Sequence, residues 1–401
     1  MNLNGGIRFA GVTCISLTAA LSACGGSSNS SAVDTSGMPV ATKVLGQEDF
    51  ISSEPNRGTG TPSTRSLAEP HGGVATDGHH FYVADYGNSR ILGWNEIPSG
   101  PEVDADFVIG QPDAASNAPS TSATSLSHPS SVQISGSKLV VADTSNNRVL
   151  IWNSLPTSNV AADVVVGQTS FASSDSPTPP SASSLSSPVS AAIVNGRLFV
   201  SDQNNDRVLI WNSVPSSNGA PADVVIGQPG FASTDDDNTI PGDTTLRQPA
   251  GLWTDGFRLL VADKGENRVL YWSQIPSQNG AKATNVIGQA DFVRVTSGLS
   301  ASLFSAPFDV TSDGIQIFIA DSGNNRVLKF NSFPIANGAA ADKVFGQNTF
   351  TARVANDDNQ DGTSDDTPSA RTLSSPTGVA VAGGDLYITD RNNHRVLLFP
   401  E

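Results

Sequence analysis

The chain has 401 residues, including 37 glycines and 25 prolines, with 15% charged residues and a formal net charge of -16. That charge opposes nucleic acid and anionic membrane surfaces as principal partners, because both are held through basic patches. Two cysteines, Cys14 and Cys24, are too few for a disulfide framework or a thiolate metal site.

Both cysteines fall within the first 24 residues. Arg8 precedes the apolar run FAGVTCISLTAALSA, which is shorter than the about 20 apolar residues of a spanning helix. It reads as a secretory signal over residues 1–23. The end of that run, Leu21-Ser22-Ala23-Cys24-Gly25, resembles the lipobox of bacterial lipoproteins. The resemblance implies cleavage before Cys24, a lipid on Cys24 and a place in the bacterial cell envelope. Gly25 supplies no aspartate-type retention signal, so the outer membrane is expected. Residues 24–41 then form a lipidated, flexible, hydrophilic tether.

The strand TKVLGQEDF at 42–50 comes next, and from there a unit of three segments repeats to the end of the chain. A Leu-x-x-Pro lead-in opens an extended run that ends in a turn, as in LSHPSSVQISG. A strand-turn-strand segment follows, as in VADTSNNRVLIWNSLP at 141, and then a short strand ending in Gly-Gln, as in DVVVGQ. Apolar and polar residues alternate with period 2, with Gly, Asn and Pro at the joints, which predicts β structure throughout. No segment after residue 42 has a helical period.

Four strands per unit is the pattern of a propeller blade, whose two apolar faces are covered only by neighbouring blades. The signature aspartates Asp85, Asp143, Asp202, Asp263, Asp321 and Asp390 are 58, 59, 61, 58 and 69 residues apart. The fold class is therefore all-β, a six-bladed propeller of four-stranded blades over residues 42–401. The last unit stops after its third strand, so the strand at 42–50 is expected to complete it. A ring closed in this way leaves no sheet edge free.

The turn pattern D-x-x-N-x-R comprises Asp85, Asn88, Arg90, Asp143, Asn146, Arg148, Asp202, Asn205, Arg207, Asp263, Arg268, Asp321, Asn324, Arg326, Asp390, Asn393 and Arg395. Asp and Asn bond nearby backbone and tolerate left-handed conformations. The arginines are placed to pair with the aspartates or to cap exposed carbonyls. Four residues on, Trp94, Trp152, Trp211, Trp272, Phe330 and Phe399 are expected to fill the space between blades. Glu266 stands where the other units have asparagine, and Asn267 is expected to take over that turn. The pattern VADxxNxRVLxW resembles the NHL repeat family of β-propellers, and the additional VIGQxxF strand resembles a subgroup found in bacterial secreted proteins.

Near-identical turns repeated around a ring make an architecture, so function is expected where the units differ. The linkers between blades differ, and so do the innermost strands. Asp309 replaces a small residue there, and Trp253, read as packing between blades, replaces Ala75, Gln133, Ala192, Thr311 or Ala380. The linker DDNQDGTSDD places Asp357, Asn359, Asp361, Thr363 and Asp365 at positions 1, 3, 5, 7 and 9 of a calcium-loop pattern, with Gly362 at 6. Calcium is the cofactor such a loop would take, although Pro368 stands at position 12 in place of the bidentate acid. The five histidines, His71, His79, His80, His128 and His394, recur at no common level, and no Gly-x-Ser-x-Gly elbow occurs. The reading is a monomeric binding or scaffolding module for an envelope protein or glycan, attached to the membrane only by lipid. Its alternative is a metal-dependent envelope lyase or hydrolase of the propeller type.

Overall fold

In every repeat Arg-Val-Leu-x-aromatic, or its close variant, returns antiparallel to the strand that carries the signature aspartate. The third repeat shows the register: Leu198 faces Trp211, Val200 faces Leu209 and Asp202 faces Arg207. The computed structural model describes residues 37–234 and 240–401. The expected signal, Cys24 and nearly all of the tether lie outside the described residues. These contain six four-stranded antiparallel sheets. In blade 3 the strands run from the axis outward as Pro188–Val194, Arg197–Asp202, Arg207–Trp211 and Val224–Ile226. They are called a to d below, and the same order holds in each blade.

Blade 6 is completed from the other end of the chain. Its strands a to c are Pro376–Ala382, Asp385–Asp390 and Arg395–Pro400, and strand d is Lys43–Leu45. Lys43 faces Leu398, Val44 faces Leu397 and Leu45 faces Val396. The amide of Thr42 adds a bond of 2.8 Å to the carbonyl of Leu398. The ring therefore closes as the missing last strand predicts.

The core lies between blades. Val140, Ile151 and Val166 of blade 2 pack against Val200, Leu209 and Trp211 of blade 3, all of them buried. The Trp211 indole N–H reaches the carbonyl of Ala220 at 3.0 Å, so the ring fills the core without leaving its donor unpaired.

Each repeated motif has a physical task. Asp202 is fully buried and accepts the Ser186 amide at 2.6 Å on one oxygen. Its other oxygen accepts from Asn205 Nδ2 at 2.8 Å and Arg207 Nε at 2.7 Å. Arg207 then donates to the carbonyls of Phe231, Ser181 and Ser184, which ties the flanking linkers to the hairpin. Burial pushes the Asp202 carboxyl above its ordinary value, and the Arg207 charge pulls it back. In the Gly-Gln strand, Gly167 has φ 88, and a Cβ there would lie 2.6 Å from Leu185 of the Leu-x-x-Pro lead-in. Only glycine fits that backbone and that leucine. Gln168 Nε2 spans from the Asn147 carbonyl at 2.9 Å to that of Asp175 at 2.7 Å. Hairpin turns and linkers consequently share one rim.

Two turn expectations are corrected. The left-handed residue is the one after the asparagine (Ser89, Asn147, Asp206, Asn267, Asn325 and His394), with φ between 50 and 54. The asparagine itself is spent on the aspartate. Asn267 is thus the regular left-handed residue of blade 4 and substitutes for nothing, while buried Glu266 occupies the asparagine place beside Asp263 and Arg268.

Burial, then the Asp263 charge, push Glu266 up to about 8, so near neutrality it holds a proton and donates to Asp263 as asparagine does elsewhere. A folded-state pKa above the unfolded one means stability present at low pH and lost as pH rises from the ordinary 4.5 through about 8. Glu266→Asn should remove that loss, stabilising the fold by about 1–3 kcal/mol near pH 9 and much less near pH 5. Melting curves at the two pH values test this; an equal shift at both would contradict it.

Candidate functional site

The six innermost strands surround an axial cavity of about 180 Å³. The inner edge of a strand a has no ladder partner, so its amides need other acceptors. Side chains of the preceding blade supply several. Ser131 Oγ accepts the Ala191 amide at 3.3 Å and Gln133 Oε1 the Ile193 amide at 2.8 Å. Asp309 accepts the Val379 amide at 3.0 Å on one oxygen and the Val310 amide at 2.9 Å on the other. Burial pushes the Asp309 carboxyl up to about 7, against the pull of these two amides. Gly251 makes room for it, since a Cβ there would come within 1.9 Å of Asp309 Oδ1. Trp253 also borders the cavity, with its ring 5.6 Å from Phe333 and 5.6 Å from the Arg258 guanidinium. It packs between blades 4 and 5 as expected.

At the end of the innermost strands that lies beside the hairpin turns, the repeats stop resembling one another. The residue after each signature aspartate is Tyr86, Thr144, Gln203, Lys264, Ser322 or Arg391. The residue after each strand-a proline is His71, Ser130, Val189, Ala250, Phe308 or Thr377. The small polar members clip blade to blade. Thr144 Oγ1 reaches the Pro188 carbonyl at 2.8 Å, Ser130 Oγ that of Val189 at 2.6 Å and Thr377 Oγ1 that of Pro70 at 3.2 Å.

The large members converge on the axis. The His71 ring lies 4.2 Å from Tyr86 and 5.3 Å from Phe308, and Tyr86 lies 5.0 Å from His128. Lys264 Nζ stands 5.6 Å from the Phe308 ring centre. These residues come from blades 1, 2, 4 and 5, which approach one another only near the axis. His71 is 7% exposed and neither ring nitrogen has a partner. Burial, then the Arg391 and Lys264 charges, lower it to about 3, so it is neutral. Buried Nε2 of Gln203 and Nε of Arg391 are also unpartnered, although Arg391 Nη2 holds Glu69 at 2.6 Å. Burial and Arg391 depress Lys264, which has no carboxylate at ion-pair distance among the described residues.

Other expected site residues are placed differently. The left-handed His394 accepts the Glu69 amide at 2.8 Å on Nδ1, while His79 and His80 lie in a turn of blade 1, where His80 meets Asp77 at 2.9 Å. In the 357–366 loop, Asp357 accepts the Asp361 amide at 3.0 Å and the Gly362 amide at 2.9 Å. Asp361 accepts the Thr363 amide at 2.9 Å, and Asp365 the Asp358 amide at 2.7 Å and Asn359 Nδ2 at 3.3 Å. Asp357, Asn359, Asp361, Thr363 and Asp365 thus all take part in hydrogen bonds within the loop. Among the described residues no group of three or more His, Cys, Asp or Glu is arranged to hold a metal ion.

The NHL repeat profile matches residues 373–399. No curated protein sequence matches the chain. Among solved structures, a virginiamycin B lyase from Staphylococcus aureus is 12% identical over 85% of this chain and 97% of its own, with a TM-score of 0.45. BamB from Moraxella catarrhalis is 13% identical over 90% of this chain and 96% of its own, with a TM-score of 0.42. The profile covers the sixth hairpin, whose Asp390, Asn393 and Arg395 make the bonds that their counterparts make around the ring. The chain is thus a six-bladed β-propeller whose sixth hairpin matches the NHL repeat.

Proposed function

We propose that this propeller is a binding or scaffolding module of the bacterial cell envelope, held there by lipid on Cys24 and receiving an envelope protein or glycan at its axial mouth. One observation carries the site. In a ring whose turns are otherwise near-identical, the residues that follow the signature aspartates all differ, as do those that follow the strand-a prolines, and His71, Gln203 and Arg391 keep buried polar atoms without partners. Such groups lower stability in the free protein, and a ligand that pairs with them recovers the loss. The envelope assignment rests on Leu21-Ser22-Ala23-Cys24.

Cys24→Ser should release the protein from membranes, because stable anchoring takes two or more acyl chains. Fractionation of cells checks this, and a variant that stays with the membrane defeats the anchor. Capture of the natural ligand from envelope extract should fall for His71→Ala in the intact chain. Undiminished capture by a folded variant would move the site away from the axis.

A further inference from the structure

Resting on that reading of the axial mouth, we infer that the group its envelope ligand presents there is an organic anion: a carboxylate or phosphate on a flat ring, the anionic group at Lys264 and the ring against Phe308 and Tyr86. The charge pattern is the first reason. The chain carries 38 acidic and 22 basic side chains, yet the acidic residue near this mouth, Glu69, is already paired with Arg391. Lys264 stands without a carboxylate, and the Arg391 charge works against it. An ammonium withdrawn from water beside another cation is unfavourable unless a negative group joins it.

The neighbouring groups suit the same ligand. Neutral His71 carries one N–H with no acceptor, and Arg391 Nε and Gln203 Nε2 are further donors without partners. Unpaired donors predominate at the mouth, which is the arrangement that oxygen acceptors on a carboxylate or phosphate satisfy. Phe308 joins this charged rim to the cavity below, since it lines the cavity and lies against both His71 and Lys264. Tyr86 extends the aromatic surface on the other side of His71. The cavity of about 180 Å³ is smaller than the pockets that enclose drug-sized ligands, so it accommodates a single ring and its substituent. Asp309 does not compete for Lys264, because both its oxygens accept amides in the channel wall.

Calorimetry on the full chain with benzoate, phenyl phosphate, inorganic phosphate and benzyl alcohol tests the inference. Benzoate or phenyl phosphate should bind with Kd of about 1 mM or tighter, and whichever binds tighter identifies the acid. Inorganic phosphate should bind about tenfold more weakly for want of the ring, and benzyl alcohol should not saturate. Lys264→Gln should weaken the anion about tenfold or more at an unchanged melting temperature, and Lys264→Arg should keep it. Benzyl alcohol binding as well as benzoate, no saturable binding of either ring anion, or anion binding untouched by Lys264→Gln would each overturn the inference. The axial site itself would survive those results if His71→Ala still abolished capture from envelope extract. It would fall, and the inference with it, if that capture were undiminished.

Discussion

Arg207→Ala should destabilise the propeller by about 3–5 kcal/mol. Its guanidinium has no exposed surface and pairs with Asp202, which is equally buried. Removing it leaves a buried carboxylate without its counter-charge, and leaves the carbonyls of Phe231, Ser181 and Ser184 without their donor. Arg207→Lys should recover little, because a point ammonium cannot serve Asp202 and both linkers at once. Urea unfolding of wild type and both variants measures the effect. A midpoint change worth less than about 1 kcal/mol would mean that the arginine clamp is ornamental. The same outcome is expected for Arg148 and Arg326, which make equivalent bonds.

Deleting residues 42–50 should cost about 4–8 kcal/mol and yield a species that self-associates through the bared strand. The deletion removes Val44, 2% exposed, and Leu45, 7% exposed, from the apolar faces of blade 6. It unpairs the outer edge of Arg395–Pro400 and takes away the Phe50 carbonyl that Arg395 Nη1 uses. Gln47, which holds the carbonyls of Glu54, Asn393 and His394, goes with it. Scanning calorimetry should show a large drop in melting temperature, and size exclusion should show oligomers formed through the bared strand. A permuted chain that carries TKVLGQEDF after Glu401 through a short turn should restore both, since Lys43 already lies opposite Leu398. If the permuted chain melts with the deletion variant, the velcro closure is not what stabilises the ring.

How far the sequence speaks depends on whether a motif acts within its own repeat or across the ring. Strand alternation, the count of blades and the closure by residues 42–50 are local patterns repeated in order, and periodicity alone establishes them. The D-x-x-N-x-R turn was legible for the same reason, because its bonds connect residues three and five apart, as in Asp202 with Asn205 and Arg207. Its finer detail was not. That the left-handed residue follows the asparagine, and that Glu266 does asparagine's work as a protonated acid, depends on φ angles and burial that composition does not encode.

The axial mouth is the opposite case. His71 and Lys264 are separated by a little more than three repeats, and each looks ordinary in its own segment. A trace was present in the sequence, because the residue after the signature aspartate varies from Tyr86 to Arg391 within an otherwise uniform turn. Only closure of the ring turns that variation into a site. It brings residues of blades 1, 2, 4 and 5 together near the axis, withdraws water from His71 and leaves Lys264 near Arg391 without an acid. The acidic loop at 357–366 has the spacing of a calcium loop, and the carboxylates of Asp357 and Asp361 accept backbone amides within it. Spacing along the chain thus determines the blades, while the charges and unpaired donors at the axis are set by closing those blades into a ring.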